Sequence, residues 1–287
     1  MGLNYKIKLY GAIGVLVFAQ FVLSAQQFAP DIPALLNQYP FFNSSVIKSK
    51  SIKKITTKVM YKSPNKKIVF SAEGAIFECS RNGNVTKWKR TNRSGNGSTT
   101  SYFLQKNGRL ATEHFETAHT DQLKSYVYNT EGFITEIIIA DARTAKVIQE
   151  EKFKYEIFSE LQYKKYWLNS EGLTYKYTVV DTDDEGRKEE ERTRFIRGAS
   201  RETIYYTYTN GWLTEYSYNM KTTTRRETKY VLEYAQNGDL LTMNESVDGA
   251  FVTRFEYLYE DGLLIAILQK NINSQQIKII KVKYEFY

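Results

Sequence analysis

The chain holds one cysteine, two histidines and four prolines in 287 residues. Cys79 alone can close no intrachain disulfide, so stability must come from a packed core, which a chain of this length can build. In Ile76-Phe-Glu-Cys79 it alternates with Phe77, which predicts a buried packing residue and not a nucleophile. His114 and His119 are five residues apart. On a strand that spacing puts the rings on opposite faces, so it predicts solvated residues at a hairpin end and no zinc site. There is no Gly-x-Ser-x-Gly nucleophile motif and no phosphate loop. Ser94-Gly-Asn-Gly-Ser98 reads as a flexible connection. No catalytic, cofactor-binding or metal-binding residue is therefore assigned, and no cofactor is expected.

Long apolar runs are also scarce. The one candidate, Leu9–Leu23, is interrupted by Gly11, Gly14 and Gln20 and is short of the ~20 residues a spanning helix needs. Lys6 and Lys8 precede it and Ser24-Ala25 follow it, so residues 1–25 read as a signal peptide, with export and cleavage expected. No cysteine lies near the cleavage point, which excludes lipid attachment there, and no stable membrane span is expected afterwards. The formal charge is +8, from 40 Lys+Arg against 32 Asp+Glu; removing Lys6 and Lys8 leaves 38 against 32, or +6.

What is abundant is tyrosine (23) and phenylalanine (16), residues that favour pleated, half-buried surfaces. Asp31-Ile-Pro-Ala-Leu-Leu-Asn37 reads as a short helix with an Asp N-cap and Pro33 in its first turn, within a cap or linker over 26–45. From about Val46 the period becomes two, opening a β-hairpin repeat domain over 46–287. Turn signals recur at Glu73-Gly74, Asn82-Gly83, Asn107-Gly108, Glu131-Gly132, Glu171-Gly172, Asn210-Gly211, Asn237-Gly238 and Asp261-Gly262. From Gly83 the intervals are 25, 24, 40, 39, 27 and 24 residues, so two units look extended by an extra hairpin. The strands before the turns also repeat, as in Tyr126-Val-Tyr128, Tyr166-Trp-Leu168, Tyr206-Thr-Tyr208, Leu232-Glu-Tyr234 and Tyr257-Leu-Tyr259. Residues i and i+2 share a strand face, so these rings should stack in rows. Ile277–Tyr287 reads as a final edge strand, its Lys278, Lys281 and Lys283 guarding against pairing with another chain.

The pattern Tyr-x-Tyr, two or three residues, Asn or an acid, Gly, x, Leu or Ile resembles the tyrosine-aspartate repeats of Rhs-type proteins, in a short secreted, Bacteroidetes-like form. The likeness covers roughly residues 67–287. The Asp that follows the second Tyr in that family is here Asn129, Thr209, Ala235 or Glu260, and its Arg after Gly occurs only as Arg109. The resemblance implies a fold in which hairpins spiral into a curved sheet or shell. The fold class expected is all-β: a long antiparallel meander of hairpins in one curved or rolled sheet, behind a short N-terminal helix.

Remaining chemistry is sparse. Asp181-Thr-Asp183-Asp184-Glu185-Gly186 copies the first half of a calcium loop, but its twelfth position is Arg192, so an acidic hairpin tip is expected. Lys48, Lys50, Lys53, Lys54, Lys58, Lys62, Lys66 and Lys67 make a basic strip, read as the solvated face of a strand, with no nucleic acid partner for an exported protein. Trp88, Trp167 and Trp212 could stack on sugars but suit cross-strand packing better. The function expected is a non-enzymatic binding or scaffold module, periplasmic or at the cell surface, whose partner is an envelope protein or glycan. The alternative is a carbohydrate-active or other hydrolytic enzyme with paired carboxylates in an aromatic groove. Any special site is expected where the period breaks, between Gly132 and Gly211.

Overall fold

The computed structural model describes residues 43–95, 97–106, 109–221 and 224–287. The helix expected over 31–37, the leader segment and the Asn107-Gly108 turn lie outside them. Helix α1 (Ser44–Ser49) is followed by strands β1 (Ile52–Lys62), β2 (Val69–Cys79), β3 (Val85–Thr91), β4 (Ser98–Lys106), β5 (Arg109–Glu116) and β6 (Asp121–Tyr128). Next come β7 (Ile134–Asp141), β8 (Val147–Ser159), β9 (Gln162–Leu168), β10 (Thr174–Thr182), β11 (Lys188–Phe195) and β12 (Arg201–Thr209). The series ends with β13 (Trp212–Lys221), β14 (Arg225–Tyr234), β15 (Leu240–Val247), β16 (Ala250–Glu260), β17 (Leu263–Asn271) and β18 (Ile277–Phe286). Val46, expected to open the first strand, instead lies in α1, where Asn43 caps the helix by accepting from the Ser45 and Val46 N–H groups.

Every strand pairs antiparallel with its sequence neighbours, and β18 pairs with β1 from Ile52↔Phe286 to Lys62↔Ile277. The meander of hairpins expected from sequence is present, but it closes into an 18-stranded barrel. That closure corrects the open or rolled sheet, and with it the tyrosine-aspartate repeat assignment, which implied a spiralling shell. It also removes the expected edge strand. Lys281 and Lys283 face outward beside Lys58 and Thr56. Lys278, an odd number of residues away from them, turns inward and pairs with Glu73.

The repeat itself has a regular period. Gly74 marks no turn; it sits within β2, so close to the Thr57 carbonyl that a Cβ would clash. Gly172 is a turn, but at the opposite rim from Gly83, Gly132, Gly186, Gly211, Gly238 and Gly262. Between Gly132 and Gly186 that rim has one more turn, at Glu160-Leu161, which lacks glycine. Counting a glycine from the wrong rim and missing a turn without one produced the two long intervals. With the turns of that rim counted, successive units are 24–29 residues long.

Three contacts explain the repeat's consensus. The second Tyr of one hairpin donates its hydroxyl to the carbonyl of the Leu or Ile after the preceding turn. These bonds are Tyr128 to Leu110 (2.8 Å), Tyr155 to Ile134 (2.9 Å), Tyr234 to Leu213 (2.9 Å) and Tyr284 to Leu264 (2.8 Å). The residue just after the preceding glycine stacks on that same Tyr. The ring pairs Trp212–Tyr234 and Phe133–Tyr155 lie 5.4 and 4.5 Å apart, and Arg187 sits 4.6 Å over Tyr208. Its side chain then lies across the next turn's glycine. A Cβ on Gly238 would enter the Trp212 ring, and one on Gly132 the Arg109 guanidinium. The motif is a stitch between consecutive hairpins.

Candidate ligand-binding lumen

Alternation along each strand divides the barrel into two faces. The inward face carries Ile55, Phe77, Trp88, Phe103, Phe153, Val180, Leu213, Tyr257 and Val282, all buried. The outward face carries charge on most strands, with exposed apolar side chains such as Tyr102, Leu104, Leu123 and Val127 on β4 and β6. Lys58, Lys89, Lys152, Lys154, Glu190, Arg192, Glu215, Lys229, Arg254, Glu256, Lys281 and Lys283 occupy strand positions on that face by register with one another. A membrane-spanning barrel needs the reverse, an outward apolar band about 25 Å tall, and each midplane Lys or Arg on it costs about 2–4 kcal/mol. Among the described residues no helix is long and apolar enough to cross a membrane either.

Eighteen strands spaced about 4.8 Å apart, at the usual barrel tilt, close a ring roughly 35 Å across, and its interior is uneven. Beneath α1, Ile47, Ile52, Ile55, Phe77, Leu264 and Ile267 form one closed cluster, with Ile47, Ile55 and Phe77 wholly inaccessible. Cys79 lies in this cluster, and burial pushes its thiol up to about 12, so it is a packing residue. Trp88 stacks on Phe77 here (5.7 Å). Across β6–β15 the inward rows hold rings that stay half-exposed, such as Tyr126, Tyr206, Tyr216 and Tyr230. Tyr206, Tyr216 and Tyr230 stack in sequence at 5.6 and 5.5 Å, the row anticipated from their spacing. The copy at Tyr166 runs one residue out of phase, so Tyr166 faces out with Tyr177 while Trp167 faces in.

Acids inside the barrel are held by tyrosines. Tyr61 donates to Glu73 (2.7 Å), Tyr126 to Glu113 (3.3 Å), Tyr206 to Glu191 (2.6 Å) and Tyr230 to Glu245 (3.1 Å). Burial first, and the adjacent carboxylate second, push these phenols up, Tyr230 to about 12. Glu73 also pairs with Lys278, and Glu191 with Lys188 at 2.9 Å. These carboxylates serve as structural acceptors.

The basic residues of β9 and β10 differ. Lys165 points inward between Tyr155 and Thr178, and its ammonium lies 4.0 Å from the Phe153 ring centroid and 4.7 Å from that of Trp167. Lys176 approaches Trp167 at 4.2 Å. Neither ammonium has an ion pair among the described residues. Burial, then the charges of Lys188 and Lys176, lower Lys165 to about 8. Sequence reading passed over both because a Lys next to Tyr on a strand normally faces water.

The remaining sequence candidates are dispersed. His114 is not at a hairpin end; it faces outward in mid-β5, 2.6 Å from Asp121, which Arg143 also contacts at 3.0 Å. Those bonds hold Asp121 below the usual carboxylate range. His119 lies in the following connection. The acidic tip is neutralised from within: Asp183 accepts from the Glu185 and Arg187 N–H groups and pairs with the Arg187 guanidinium, while Asp181 pairs with Arg192. Of the lysine strip, Lys54 pairs with Glu285, and Lys50 donates to the Asp261 carbonyl.

No protein-family model and no curated protein sequence matches the chain. Among solved structures it is similar to a porin-like protein from Bacteroides uniformis ATCC 8492, with TM-score 0.42 and 11% identity over 82% of this chain and 97% of that one. A second similarity is to a porin-like protein from Bacteroides vulgatus ATCC 8482, with TM-score 0.32 and 9% identity over 82% and 98% of the two chains. Both scores are too low to bear on function, and neither neighbour is described as a tyrosine-aspartate repeat protein.

Proposed function

We propose that the protein is an exported, non-enzymatic envelope barrel that faces water on its outside and holds an apolar ligand in its aromatic lumen. The observation that carries this is the polarity of the wall: charged side chains outward, and stacked, partly exposed rings inward across β6–β15. Half-exposed aromatic area inside a concave wall is surface that a ligand would remove from water. The leader-like residues 1–25 support export to the periplasm or beyond. The charged exterior supports the absence of a membrane span once that leader is removed. On this reading the sheet face that binds a partner is the inner one. A hydrolytic role has no observation in its favour.

The test is titration with N-phenyl-1-naphthylamine, an uncharged apolar dye. Saturable dye fluorescence, with energy transfer from tryptophan that falls in Trp167→Phe, is expected. An absence of saturable binding would refute the lumen assignment.

A further inference from the structure

Among the described residues, two lumenal ammonium groups, those of Lys165 and Lys176, lie on aromatic rings without a direct ion pair. Most inward-facing ionisable groups described above have an opposite charge or a phenol as partner. Lys165 and Lys176 instead converge on one indole, Trp167, at 4.7 and 4.2 Å. Phe153 lies 4.0 Å from Lys165, and Lys176 is 5.6 Å from Phe195. Two acids act on Lys165 without forming an ion pair with it: Glu151, which accepts from Gln149, and Glu191, which is occupied by Lys188 and Tyr206. Ring faces attract an ammonium, but they replace only part of the hydration it loses. Two like charges on one ring also repel, so an anion placed between them would relieve both costs.

The surroundings specify the rest of such a ligand. Phe133, Tyr155 and Tyr163 stack beside Lys165, with Phe133 4.5 Å from Tyr155 and 5.2 Å from Tyr163. They extend the apolar wall from the lysines toward the rim that carries the Glu160-Leu161 turn. Thr178 and Thr193, in the row shared with Lys165, are hydrogen-bonded to each other at 2.6 Å and present no free charge. A compact anionic head against Lys165 and Lys176, with an apolar body along these rings, fits what the wall offers.

We propose that Lys165 and Lys176 form the head-group site of the lumen, and that its ligand is an anionic amphiphile with a carboxylate or phosphate head. This rests on the lumen being a binding cavity, and its test is arranged so that the two can fail separately. Dodecanoate, dodecyl phosphate and uncharged dodecanol would each be used to displace N-phenyl-1-naphthylamine from the intact chain at pH 7. The anions should compete at least about tenfold better than dodecanol, the scale of one charge-assisted hydrogen bond. The order of dodecanoate and dodecyl phosphate then decides which head is preferred. Lys165→Met and Lys176→Met should each lose most of that preference while binding the dye and dodecanol as before. Lys165→Arg should retain it, which separates charge from packing. Dye binding with no advantage for either anion would overturn the lysine site and leave the lumen standing. Failure of the dye itself to bind would remove both. If Met variants kept the full anion preference, the head group would lie elsewhere and the assignment would be wrong.

Discussion

Two arcs of one barrel, built from the same hairpin unit, have different interiors. Under α1, strands β16–β18 and β1–β5 bury aliphatic and aromatic side chains completely. Across the ring, β8–β12 bury Phe153, Thr178 and Val180 but leave further rings and two lysines partly accessible. The hairpin unit is common to both arcs, so it does not by itself cause the contrast. What differs is the cover. α1 inserts Ile47 against Ile52, Ile55 and Phe77, and the far arc has no counterpart among the described residues. The near arc is organised for stability. The far arc leaves aromatic surface for something else to cover.

Truncation should separate the arcs most strongly. Phe77→Ala is expected to cost about 3–5 kcal/mol, as for a fully enclosed aromatic, whereas Ile137→Ala in the half-exposed lumen should cost less than about 2 kcal/mol. Equal losses in chemical denaturation would mean that the far arc is as tightly packed as the near one. Next come the turns. Gly238→Ala forces a non-glycine residue into left-handed backbone, about 1–2 kcal/mol, and displaces Trp212 from its turn. Gly172→Ala incurs only the backbone cost, because no atom lies within 4 Å of the added Cβ. Thermal melts should rank the two in that order. Smaller again, Tyr234→Phe removes one hydroxyl bond to the Leu213 carbonyl and should lose about 0.5–1.5 kcal/mol. No change at all would show that the stitch contributes through ring stacking alone.

The weakest effect is one of pH. Lys165 titrates near 8 in the folded barrel, below an unfolded lysine at about 10.4. Between those values the unfolded chain binds more protons, so stability should rise as pH climbs from about 8 toward 10. Denaturation curves of the parent should show that rise, and Lys165→Met should flatten it.

Much of this fold was legible in the residues, for identifiable reasons. Alternating Tyr-x-Tyr segments and Asn-Gly turns encode hairpins locally, and Asn210-Gly211 and Asp261-Gly262 do adopt positive φ at both turn residues. Closure was not legible, because the pairing of β1 with β18 joins segments more than 200 residues apart and no local signal marks it. The phase of the repeat was misread at Gly172, since a glycine turn looks the same at either rim. Cys79, Trp88 and Trp212 were read correctly as packing residues, because burial follows from alternation. The Lys165–Trp167–Lys176 group was missed because it is assembled across β8, β9 and β10, and the lack of an ion pair there depends on cross-strand neighbours.

The most direct test of the central claim, a barrel with its charges outside and its rings inside, is the behaviour of the chain lacking residues 1–25 without detergent. It should remain monodisperse in aqueous buffer, stay in the aqueous phase on Triton X-114 partition, and fail to float with phosphatidylethanolamine–phosphatidylglycerol vesicles after a carbonate wash. A folded chain that needs detergent to stay in solution and floats with the vesicles would contradict it.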